Sequence, residues 1–214
     1  MLRSLVKPIQ DTDHVLDFGC GQGVFLHLLY DYFPFASATG IDYDPESIAT
    51  AKRLMADRGE LRPISYIEGT EALLNSYVHT FDQIFSQETF WMNQDISVLA
   101  RQFYHALKPD GRCYCTMGSH DRNPLWPHRR DQMLANGQSC YTRSIEDVAM
   151  AFHEAGFAVG ARLLPCDGFM MYHPQSTPKN SLSLFDLVQS TAASKILFYF
   201  GKHEPVQIAQ GLRG

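Results

Sequence analysis

The chain has 214 residues, a net charge of −5, 45% hydrophobic and 19% charged residues, which predicts a single globular domain with ample chain for a core. The mildly acidic balance speaks against nucleic acid as a partner, and the only dense basic cluster, Arg122, His128, Arg129 and Arg130, reads first as a solvated loop. Five scattered cysteines without a C-x-x-C pair exclude a zinc knuckle or disulfide frame, so no metal is expected. The start lacks a leader's apolar core and no run reaches membrane-spanning length, so a soluble, cytoplasmic protein is expected.

Strand-like and helix-like segments alternate along the chain. "HVLDF" from His14 predicts a first strand, followed by a helix from about Val24 to Phe33 that stops near Pro34. "SATGID" predicts a second strand. The next segment, "DPESIATAKRLMADRG", carries Asp44 as N-cap, Pro45 at the first helical position, an apolar face of Ile48, Ala51, Leu54 and Met55, and Gly59 as stop. "ISYIEG" and "FDQIFS" predict the third and fourth strands, with a helix from about Asp95 to Leu107 behind them.

Lys108 to Gly111, "KPDG", reads as a turn, and "RCYCTMG" as the fifth strand. Ser144 and Asp147 form a capping box for a helix ending near Gly156. "FAVGARLL" and "KILFYFGK" complete the strands. Such alternation predicts a mostly parallel sheet covered on both faces. Two stretches break the rhythm: 117–141 reads as a long polar and aromatic loop, and 167–193 as an insertion with a helix around Ser181 to Gln189. Loops of this length serve as lids or binding elements.

The turn after the first strand, "DFGCGQG", spaces its glycines as G-x-G-x-G. The dinucleotide fingerprint G-x-G-x-x-G would require a third glycine where Val24 stands. Asp17, two residues before Gly19, would also repel a diphosphate, whereas it would attract a cation. This constellation resembles the class I S-adenosylmethionine-dependent methyltransferases, whose first motif is D/E-x-G-x-G-x-G. Asp17, Gly19, Gly21 and Gly23 stand in its places. Asp42 in "GIDYD", "EGTEALL", "FDQIFSQETFW" and "LKPDGR" follow in the order the family keeps.

The resemblance implies a Rossmann-like, doubly wound α/β fold with seven strands, mostly parallel, the last antiparallel, and helices on both faces. It implies one methyltransferase domain over 1–214, with the two insertions as a lid. The implied cofactor is S-adenosyl-L-methionine, held by Asp17, Gly19, Cys20, Gly21 and Gly23 at the turn, by Asp42 and Tyr43 at the second strand, by Gly69, Thr70 and Glu71 beside the adenine, and by Ser86 and Gln87 near the sulfonium. Asp42 would accept two hydrogen bonds from the ribose diol. Thr70 departs from the family's usual acid; Glu71 either takes over the exocyclic amine or faces water, and Tyr43 either packs on the adenine or only on the strand end.

Methyl transfer from a sulfonium needs alignment above all, and a base only where the acceptor must lose a proton. His120 is the histidine to test as base. Glu88 is a base, a cation partner or a solvated acid. Trp91, Trp126, Tyr141 and Tyr172 are expected acceptor-side residues, with core packing an equal reading for Trp91. "SQET" lacks the N/D-P-P-Y/F motif of base-amine methylation. The expected function is methyl transfer to a nitrogen or oxygen of a small molecule, with a homodimer as one expected assembly; protein or RNA methylation, a catalytically silent cofactor-binding partner and a dinucleotide oxidoreductase stay open as rivals.

Overall fold

The computed structural model describes residues 8–59, 61–123, 125–164 and 195–203. One sheet is formed by β1 His14–Phe18, β2 Ser37–Asp42, β3 Ile64–Glu68, β4 Phe81–Gln87, β5 Leu107–Gly118, β6 Ala158–Leu163 and β7 Lys195–Gly201. Its order is β3-β2-β1-β4-β5-β7-β6. β1 to β5 pair in parallel, and β7 is antiparallel to both β5 and β6. This is the expected doubly wound, Rossmann-like architecture.

Among the described residues five helices cover it: α1 Val24–Tyr32, α2 Pro45–Asp57, α3 Ile96–Ala106, α4 Trp126–Ala135 and α5 Ile145–Glu154. Alternate residues of each strand serve opposite faces. Val15, Phe85, Tyr114, Leu197 and Tyr199 pack with Leu26 and Leu29 of α1 and Ile48 and Ala51 of α2. Leu16, Ile84, Cys113, Cys115, Phe198 and Phe200 pack with Leu99 and Phe103 of α3 and Val148 and Phe152 of α5. Burial on both faces is why the strands read as nearly continuous apolar runs.

Side-chain caps fix where the helices begin. The Asp44 carboxylate accepts from the N–H groups of Glu46 and Ser47 at 3.3 and 3.1 Å. Asp95 accepts from Ser97 and Val98 at 2.9 and 3.1 Å. The expected capping box opens α5, with Asp147 N–H donating to Ser144 Oγ at 3.0 Å and Ser144 N–H donating back at 2.9 Å.

The structure departs from expectation at 117–141. Met117 and Gly118 complete β5, as the strand reading "RCYCTMG" expects, but α4 occupies much of the stretch read as a loop. Pro127 stands in the first turn of α4, where its missing N–H costs no hydrogen bond. The "KPDG" turn also lies within the span of β5: Phe81 pairs with Leu107 but Gln83 with Arg112, so the turn bulges out of the ladder. The second insertion and its expected helix lie outside the described residues.

Because β1 lies between β2 and β4, the winding reverses there, and a crevice forms at the carboxyl ends of these strands. The opposite flank rests on Phe152, fully buried and stacked on Phe200 at 3.8 Å between ring centroids, with Phe90, Phe103 and Phe157 around it. Phe152→Ala is expected to lower unfolding free energy by about 3–5 kcal/mol, measured by urea denaturation.

Candidate active site

The crevice begins with the backbone between β1 and α1. Gly19 and Gly23 have φ of +77° and +79°, left-handed values that favour glycine. Space forbids a side chain as well: a Cβ on Gly19 would collide with the Thr89 methyl, and one on Gly23 would lie 2.5 Å from the Tyr66 ring. Tyr66 fixes the turn from below, its hydroxyl donating to the Gly23 carbonyl at 2.9 Å. Thr89 and Tyr66 are supporting residues that sequence reasoning missed, since neither belongs to a local motif.

Asp42, at the tip of β2, is buried. Its Oδ2 accepts from Gly21 N–H at 2.7 Å and its Oδ1 from Asp44 N–H at 3.0 Å. One carboxylate thereby ties the glycine turn, the end of β2 and the entry to α2. Its backbone carbonyl accepts from Gly69 N–H at 2.9 Å, which brings the end of β3 alongside.

Asp17 is 2% exposed, and no ion pair among the described residues involves its carboxylate. Burial, and secondly the charge of Asp42, push its pKa up to about 8. Burial and the same two carboxylates also push the Cys20 thiol far up, which makes it unreactive.

A cavity of about 380 Å³ opens beside the turn. Of the expected cofactor residues, Gly19, Asp42, Tyr43, Gly69, Thr70 and Glu71 line it; Asp17, Cys20, Gly21 and Gly23 do not. Phe18, Ile41, Met92, Asn93 and residues 137–139 complete the lining and were not foreseen. The Asn136-Gly137 pair was the available signal, because Gly137, at φ +74°, follows the end of α4.

Ser86 and Gln87 close β4 but line neither this cavity nor the next. Ser86 is buried, with its hydroxyl donating to the Phe18 carbonyl at 2.9 Å and 2.5 Å from the Thr89 hydroxyl. It joins the tips of β1 and β4.

A second cavity, about 160 Å³, is lined by Glu88, Trp91, Gly118, His120, Trp126, Lys195 and their neighbours. Trp91 and Met92 are consecutive in the 3-10 turn Phe90–Met92, and each lines a different cavity. The Glu88 carboxylate pairs with Lys195 Nζ at 2.8 Å and accepts from Gly118 N–H at 3.3 Å. His120 and Trp126 stack at 3.5 Å with 1° between planes.

Arg143 N–H donates to His120 Nδ1 at 3.0 Å, so the ring proton sits on Nε2. Burial, followed by the Lys195 charge, lowers the His120 pKa to about 4. His120 is thus arranged as a neutral hydrogen-bond donor and not as the base its position suggested. Tyr141 lines neither cavity; its N–H donates to the Trp91 carbonyl at 2.8 Å, and Arg143 sits over its ring. Tyr172 lies outside the described residues. No group of three metal-ligating side chains occurs among the described residues, and no helix there is long and apolar enough to cross a membrane.

The sheet order, the left-handed turn after β1 and the carboxylate at the tip of β2 define a Rossmann-like α/β protein with its pocket at the switch point. The family description "Methyltransferase domain" matches residues 2–161, and the chain belongs to that family. It is 35% identical over 99 residues to the malonyl-[acyl-carrier protein] O-methyltransferase of Bacillus anthracis, covering 45% of this chain and 34% of that protein. It is 42% identical over 50 residues to trans-aconitate 2-methyltransferase of Escherichia coli O157:H7, covering 23% and 20%. The chain therefore spans about a third or less of these curated relatives. Among solved structures, an S-adenosylmethionine dependent methyltransferase from Mesorhizobium loti superposes with a TM-score of 0.69 at 18% identity, covering 93% of this chain and 94% of that one.

Asp42→Ala would strip acceptors from the Gly21 and Asp44 amides. A loss of about 1–3 kcal/mol is expected, with faster hydrogen exchange confined to residues 19–23 and the start of α2 when measured by mass spectrometry.

Proposed function

We propose that the chain is an S-adenosylmethionine-dependent methyltransferase with a small-molecule acceptor. The observation that carries this reading is the pair of acids around the glycine turn: Asp42 in the cavity wall, and Asp17 buried behind it with no ion pair among the described residues. A cofactor with a sugar diol and an ammonium, but no phosphate, matches that pair. A diphosphate would meet the Asp42 carboxylate. When bound, the cofactor supplies a methyl group activated on a sulfonium.

Asp42 keeps lone pairs free of the Gly21 and Asp44 amides, and these accept from the ribose hydroxyls. Asp17, behind the turn and outside the cavity wall, attracts the ammonium across the glycine turn without touching it. Tyr43, Gly69, Thr70 and Glu71 receive the nucleobase, in a cavity of the size that small ligands occupy. The smaller cavity, with Trp91 and Trp126, takes the acceptor. In the basic cluster that nucleic acid would need, Arg122 pairs with Glu146 and Arg130 with Asp131, which supports a small acceptor instead.

The reading is tested by equilibrium dialysis with S-adenosylmethionine and NAD, followed by incubation with methyl-labelled cofactor and a cell extract. Selective binding of the first and label in small solutes are expected. Preferential NAD binding would overturn the assignment; label in protein or RNA would overturn the acceptor class.

The pH dependence has a definite sign. Below about pH 8 Asp17 is protonated, and an ammonium beside it favours ionisation, so binding releases a proton. Affinity is therefore expected to rise with pH by up to about tenfold per unit, levelling once Asp17 is ionised. Calorimetry in buffers of different ionisation heat would read that proton, and Asp17→Asn should abolish its release. In the ligand-free protein the raised pKa means stability falls as pH rises toward 8. Asp17→Asn is expected to remove that fall in thermal melts.

A further inference from the structure

We propose that the smaller cavity binds a carboxylate, and that this carboxylate is the methyl acceptor. The inference rests on the methyltransferase reading and narrows its substrate to small organic acids.

The charges facing the cavity are one acid, Glu88, and two cations, Arg129 and Lys195. Glu88 is already matched by Lys195 at 2.8 Å. No carboxylate among the described residues pairs with Arg129, which is exposed at the cavity's edge on α4. Among the described residues one positive charge is left without a counterion, beside a pocket whose remaining walls include Trp91, Leu125, Trp126 and Met133. His120 adds a neutral Nε2–H donor, its Nδ1 being held by Arg143 N–H. A guanidinium with a neutral donor recognises an anion, and the apolar walls receive the carbon skeleton behind it.

The same geometry disfavours the other nucleophiles. An amine arrives as an ammonium, is repelled by the Arg129 guanidinium and must lose a proton before attack. An alcohol or phenol also needs a base. His120 has its lone pair engaged, and Glu88 is held by Lys195 and the Gly118 amide. A carboxylic acid, with a pKa near 4, is already ionised at neutral pH. A carboxylate oxygen forms the new O–C bond with its lone pair as the C–S bond breaks toward sulfur. The negative carboxylate and positive sulfonium become a neutral ester and a neutral thioether, and no proton changes hands.

Both tryptophans of the chain line this cavity, so its occupancy can be read by fluorescence without turnover. The full chain is titrated with benzoate and with its uncharged isostere benzamide. Benzoate is expected to quench saturably and to bind at least about tenfold tighter than benzamide, and Arg129→Gln to remove that preference. Equal binding of the two, no saturable change with either, or a benzoate affinity indifferent to Arg129→Gln would overturn the proposal.

In parallel, the product labelled from methyl-tritiated cofactor and the small-solute pool is treated with mild alkali. Label released as methanol, the mark of a methyl ester, supports the proposal. Alkali-stable label overturns it while leaving the methyltransferase reading intact. Failure to bind the cofactor in dialysis defeats that reading instead, a result separate from the fluorescence titration.

Discussion

The hydrogen bonds that Asp42 accepts from Gly21 and Asp44 are the constraint on which the site depends. A left-handed glycine turn has no regular partners of its own, and without an anchor it would sample many conformations. A carboxylate at the end of an adjacent parallel strand supplies that anchor. It also aligns the start of α2, whose own cap, Asp44, is the next residue but one. The position of one acid thereby fixes the height of the turn against β2, and with it the floor of the larger cavity.

Holding a second acid nearby has an electrostatic cost. Asp17 is removed from water by the same turn, and the charge of Asp42 further disfavours its ionisation. The ligand-free protein accommodates this by keeping Asp17 protonated. Such an arrangement is poorly optimised for stability and well matched to a cationic guest, a common exchange at binding sites. In the smaller cavity the imbalance has the opposite sign, with cations exceeding acids, so the two cavities differ in the charge they welcome.

Much of the fold was legible because it is written in local signals. Alternating apolar strands, Pro45 after Asp44 and the Ser144–Asp147 box each act within a few residues, and the structure has them as read. The glycine spacing and Asp42 were legible for the same reason. What was not legible depends on distant packing. Thr89 over Gly19, Tyr66 under Gly23 and the inward turn of Ser86 are contacts between segments far apart in the chain that no periodicity encodes. His120 was visible as a residue but not as a donor, since its tautomer is set by Arg143, 23 positions away. α4 escaped notice because its apolar stripe is weak and Pro127 imitates a breaker.

That helix has a consequence of its own. Arg129 and Met133 of α4 border the smaller cavity, while residues 137–139, directly after it, border the larger. Its first residue, Trp126, is clamped to the end of β5 by the stack on His120. One short helix and the turn that ends it thus supply wall to both chambers, so a substitution that displaced α4 would change the shape of both at once.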